Sequence, residues 1–147
     1  MKTVPHIFLV MQQRQFNNIA ARPKKLFLID GLCALVSTIL YLTLLVNLES
    51  TFGIPKTPLY LFAMLATGYN IYSFTCYGLA LENWRPYLQV IGIANLLHSL
   101  LTLAMLFYYQ ESLTLLGVFY FVGEVLIVSS LAIIEIKIAR HRPKVHS

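Results

Sequence analysis

A chain of 147 residues that is 58% hydrophobic and only 12% charged, with mean hydropathy +0.70, cannot solvate the surface of a soluble domain, where charged residues run near 25%. The net charge of +5 and pI near 9.3 flank apolar runs and form no basic face, so the expected partner is a lipid bilayer and not nucleic acid. Once the apolar runs are counted, too little chain is left over for a separate extramembrane fold.

Residues 1–25 read as a retained cytoplasmic or interfacial N-terminal segment. A secretory signal needs an apolar core of about 7 to 15 residues and a small-residue cleavage site. Here Ile7 to Met11 runs straight into Gln12, Gln13 and Arg14. Lying along a membrane surface, the segment would turn Ile7, Phe8, Met11, Phe16 and Ile19 toward lipid and Arg14, Arg22, Lys24 and Lys25 toward headgroups. Arg22-Pro23 discourages one helix from running on unbroken into the first long apolar run.

Four apolar runs come next, at 26–48, 59–81, 87–109 and 113–136. Each is long enough to cross a hydrocarbon core, which takes about 20 residues as a helix. The intervening 10, 5 and 3 residues force each helix to lie antiparallel beside its predecessor. The expected fold is therefore all-α, an up-down four-helix transmembrane bundle with short loops. Thr57-Pro58, Asn83 with Pro86, and Ser112 are the start signals, and Phe52, Tyr60, Trp84, Tyr87, Tyr108 and Tyr109 sit where interfacial aromatic belts belong.

Ten of the eleven basic residues fall on one side of such a bundle, in the N-terminal segment, at Arg85, and in a basic tail over 137–147; Lys56 stands alone on the other. By the positive-inside rule both termini are cytoplasmic, and an inner membrane of a bacterium is the natural setting for so short a chain. Cys33 and Cys76 fall at similar depth in the cytoplasmic half, with no C-x-x-C, and read as small packing residues.

The midpoints of the four runs fall on Ser37, Asn70, His98 and beside Glu124, all on one level. A carboxylate at that depth costs from roughly 2.5 kcal/mol upward, so it must be protonated, paired or wet. On the third run Gly92, Asn95, Ser99 and Thr102 recur at helical spacing with His98 alongside, and on the fourth Gly117, Tyr120, Glu124, Val128, Leu131 and Glu135 share a face. Glu124 and His98 are thus expected to form a coupled ligand or proton centre, lined by Asn70, Asn95, Tyr120 and Ser37. The competing expectation is that these polar side chains are interhelical glue worth about 0.6 kcal/mol per hydrogen bond.

A second cluster, Asp30, Glu82, Arg85 and Glu135, is expected at the cytoplasmic border, anchoring the bundle by ion pairs at headgroup depth or holding an anionic headgroup. No phosphate-binding loop, zinc-protease, nucleophile-elbow or dinucleotide motif is present, and His98 with Glu124 supplies too few ligands for zinc, so no cofactor or metal is expected. The leading expectation is a carrier or ligand-binding protein exchanging a proton with a small hydrophobic or cationic solute. The alternatives are a noncatalytic subunit of a membrane complex or homo-oligomer and, behind it, an intramembrane lipid-modifying enzyme.

Overall fold

The computed structural model describes residues 3–79 and 81–141, without the side chains of 3–5, 16, 19 and 20. Lys2, Arg142 and Lys144, which weigh in the orientation of the chain, and the Phe16 and Ile19 side chains of the expected surface helix, lie outside the described residues. Among these residues the fold is helical throughout: α1 (Thr3–Ala20), α2 (Pro23–Leu40, continued by a π turn, Tyr41–Leu45), α3 (Glu49–Phe52), α4 (Lys56–Leu79), α5 (Arg85–Tyr108) and α6 (Leu115–Arg140).

Three helical segments are long and apolar enough to cross a membrane: Pro23–Leu45, Arg85–Tyr108 and Leu115–Arg140. They suggest an integral membrane protein, and the outward side chains fit it: Leu32, Val36 and Ile39, Leu97, Leu100 and Leu101, and Leu126 and Ile127 are all exposed. α4 has the length but not the composition. Its interior carries Thr67, Gly68, Asn70, Ser73 and Thr75, so the four equivalent apolar runs resolve into three apolar helices and one more polar helix.

The helices start and stop differently from the apolar runs, for local reasons. Pro23 occupies the first helical turn of α2, where its missing N–H costs nothing, so α2 begins ahead of the apolar run and brings Lys24 and Lys25 into the helix. α6 is capped by Thr114 and not by Ser112: the Thr114 hydroxyl accepts the Gly117 N–H at 3.1 Å. α6 then runs through Lys137 to Arg140, basic residues that suit the negative end of a helix dipole. In α1, Ile7, Phe8, Leu9, Val10 and Met11 are all exposed, and five consecutive positions wrap fully around a helix. The apolar part of α1 therefore has no single buried face.

α2 lies along α4, and α5 along α6, giving two antiparallel hairpins. In the second hairpin the backbones approach closely, since a Cβ at Gly92 would stand 2.8 Å from Ile136 Cγ1 and 3.2 Å from the Ala132 carbonyl oxygen. The loops at one end of the hairpins dock on each other. Thr114 Oγ1 donates to the Thr51 carbonyl at 2.6 Å and Ser112 Oγ to the Gly53 carbonyl at 2.9 Å. Gly53 adopts φ +80°, and a Cβ there would lie 2.1 Å from the Ser112 carbonyl oxygen, so both conformation and space demand glycine.

The apolar core is split in two. One cluster gathers Tyr41, Leu45, Phe52, Ile54, Leu59, Phe62 and Phe121 at the latched end; the other gathers Leu26, Phe27, Cys76, Leu88, Ile91 and Ile138 at the opposite end. Between them lies a buried polar layer of Asp30, Ser73, Asn95, His98, Ser99, Thr102 and Glu135.

Candidate functional site

The polar layer contains two carboxyl centres on the seam between the hairpins. The first is built on Glu124 of α6. The Tyr41 hydroxyl donates to both of its oxygens, at 2.8 Å to Oε1 and 2.7 Å to Oε2, and His98 Nε2 stands 3.5 Å from Oε1. That last distance is an ion-pair contact, longer than a well-formed N–H···O bond. The Glu124 side chain is 8% exposed and that of His98 5%.

Tyr41 keeps the regular α-helical bond from its N–H to the Ser37 carbonyl, so the phenol stays on the stripe of Ser37, and the π turn Tyr41–Leu45 opens after it. A wide turn inserts an extra residue into the helical ladder and rotates the side chains beyond it. Tyr41 is fully buried there, stacked on Phe62 with centroids 5.9 Å apart. Phe62 and Tyr69 of α4 also stand edge-on to the His98 ring, at 5.1 and 5.7 Å. These contacts fix the imidazole plane so that Nε2 faces Glu124, while Nδ1 is buried without a hydrogen-bond partner.

The second centre lies further along the seam. Asn95 Nδ2 donates to Asp30 Oδ1 at 2.6 Å and to Glu135 Oε2 at 3.2 Å, and Ser73 Oγ donates to Asp30 Oδ2. Asp30 is 2% exposed and Glu135 fully buried, with Glu135 Oε1 unpartnered. This corrects the border cluster read from sequence. Asp30 and Glu135 do not pair with Arg85 or a lysine at headgroup depth; they meet each other through Asn95 inside the protein. Arg85 instead lies over the Trp84 ring, 5.4 Å from its centroid, and Glu82 is exposed in the connector. The reason is helix length: because α6 continues to Arg140 and α2 starts at Pro23, both acids stand more than a turn inside their helices.

Of the remaining candidates, Ser37 lines the site, whereas Asn70 donates its amide to the Gly31 carbonyl at 2.8 Å and joins α4 to α2 away from Glu124. Tyr120 packs edge-on against Phe52 and Phe121, at 5.7 and 5.0 Å. Ser99 and Thr102 bond carbonyls of their own helix, at 3.1 and 3.0 Å. Cys33 reaches the site and Cys76 packs in the far apolar cluster; both thiols are free. Among the described residues no group of three His, Cys, Asp or Glu side chains is placed to hold a metal ion.

Two spaces meet at Glu124. A cavity of about 30 Å³ between the hairpins is lined by Asp30, Asn95, His98 and Glu124 among others, room for a water or two given the ~10–15 Å³ each occupies. On the outer side a groove of about 460 Å³ runs between α2 and α6, lined by Leu32, Val36, Leu40 and Ile127 together with Ser37, Tyr120 and Glu124. A carboxylate between a small inner cavity that also borders His98 and Asp30 and an apolar outer groove can exchange a proton with one and an amine or hydroxyl with the other.

Among the described residues, fold and site together define an all-helical protein with three helices apolar enough to cross a membrane and a buried carboxyl–imidazole–phenol centre. No protein-family model matches the chain, and neither does any curated protein or solved structure.

Proposed function

We propose that this is a small membrane carrier or ligand-binding protein that takes a hydrophobic, cationic solute into the α2–α6 groove and binds its charged end at Glu124. The observation that carries the reading is that Glu124 borders both the groove and the small inner cavity onto which Asp30, Asn95 and His98 open. The groove's volume falls in the range of small-molecule sites, about 300–1,000 Å³, and its walls are apolar with few polar groups, as such sites usually are. An incoming ammonium would compete for the carboxylate with the Tyr41 hydroxyl and with His98, displacing a proton into the cavity.

The reading includes α4 as a fourth membrane span in an up-down bundle. Its outward hydroxyls support that: Thr67 donates to the Ala63 carbonyl at 2.8 Å and Thr75 to the Ile71 carbonyl at 2.7 Å, so neither presents an open donor to lipid. It also places both termini on the cytoplasmic side, on the distribution of basic residues, with a bacterial inner membrane as the setting.

Dodecylammonium is a suitable probe, its chain matching the groove and its head the carboxylate. Bound to the full-length protein in lipid nanodiscs, it is expected to lose at least about tenfold in affinity, or about 1.4 kcal/mol, in Glu124→Gln and to be unchanged in the surface variant Glu49→Gln. Equal binding to wild type and folded Glu124→Gln overturns the reading and leaves a noncatalytic packing subunit, whose polar core is glue, as the better account.

A further inference from the structure

We propose that Asp30, Asn95 and Glu135 form an inner proton site that exchanges its proton, through the cavity, with the Glu124–His98 centre. This deepens the function proposed above, on which it rests, by naming the proton as the coupled ion and giving its route.

Three observations carry it. Two carboxyls from different helices are buried against one amide, and no lysine or arginine among the described residues pairs with either. Two ionised carboxylates so placed repel across a low-dielectric gap, and a shared proton relieves that repulsion. A metal cation fits poorly because the amide nitrogen of Asn95, a donor, already occupies the position between them.

The second observation is that the buried side-chain polar atoms left without partners among the described residues, Glu135 Oε1 and His98 Nδ1, belong one to each of the two centres. Such orphaned groups are rare in native interiors and call for a role. The third is continuity. The cavity is lined by Asp30 and Asn95 on one side and by His98 and Glu124 on the other, and it has room for bridging water.

The relay moves protons only. The inner pair holds one proton, and Asp30, the member that lines the cavity, is the one that gives it up or takes it back. Water in the cavity carries a proton from Asp30 to His98 Nδ1 as Nε2 releases one to Glu124, so one enters and one arrives, and cavity water restores the first tautomer by moving the Nδ1 proton to Nε2 with the ring held in place. The titratable groups facing the inner pair are Cys33 of α2, Tyr69 of α4, His98 of α5 and Glu124 of α6. None of them is a fixed cation.

The test is a pH jump on the full chain in lipid vesicles, with carboxyl protonation followed by infrared spectroscopy. Wild type is expected to show a protonated-carboxyl band that disappears in Glu135→Gln. Protonation of Glu124 is expected to slow at least about tenfold in that variant while dodecylammonium still binds at equilibrium. Asp30→Asn is expected to slow it likewise, and serves where Glu135→Gln does not fold. Wild-type protonation kinetics in either folded variant overturn the relay. Should Glu124→Gln bind the probe normally while the Glu135 band persists, the solute reading fails and the inner proton site stands.

Discussion

Glu124 meets a phenol, an imidazole and an open apolar groove, whereas Glu135 meets an amide, a second carboxyl and the tightly packed backbone at Gly92. Both are buried acids on the same helix, eleven residues apart in sequence and so on nearly the same azimuth. The difference lies in what faces them. The first has a partner able to carry positive charge and a side open to the exterior; the second is sealed and has neither. One carboxyl is thereby suited to exchanging a ligand, the other to holding something as small as a proton.

That contrast can be broken most forcefully at Asn95. Asn95→Leu removes the donor from both inner carboxyls at once and is expected to cost about 3 kcal/mol of stability, read by denaturant unfolding in detergent micelles, with probe binding at Glu124 surviving in the fraction that folds. A cost near zero would mean that the inner acids do not depend on the amide. A smaller effect is expected at the other centre. Tyr41→Phe deletes a hydroxyl while His98 still faces the carboxylate, so a loss of about 1 kcal/mol should appear in the same measurement, with dodecylammonium binding retained because a competing donor has gone. The smallest is Ser37→Ala, about 0.6 kcal/mol or less, since no hydrogen bond of its hydroxyl joins the two hairpins; a larger loss of probe affinity there would move the ligand's polar end from Glu124 toward α2.

The depth of this site was legible in the sequence and its facing only partly so. Counting to the middle of each apolar run puts His98 and Glu124 on one level, and the structure sets them 3.5 Å apart. Ser37 and Asn70 share that level, but level says nothing of azimuth, and Asn70 turns to the Gly31 carbonyl. Tyr41 lies one regular turn beyond Ser37 on the same stripe of α2, so its approach to Glu124 follows from helical spacing. Asp30 and Glu135 were hidden by a different effect. Apolar runs end where lysines and arginines begin, but helices do not, because long basic side chains let the backbone continue to the bilayer surface. An acid at the edge of an apolar run can therefore stand well inside the protein. The split core explains why the sequence signal for amphipathicity is faint: inside and outside are both apolar except along one narrow layer.

The docked loops around Gly53 and Ser112 clasp the hairpins at one end, and the connector before Arg85 joins α4 to α5 at the other. Among the described residues no loop joins α2 to α6 at the Pro23 end, where they meet only through apolar packing, and α1 hangs from that same corner. The molecule is thus hinged like a folder fastened along its spine and top. A pull on α1 would be felt first as a widening of the slot that leads to Glu124.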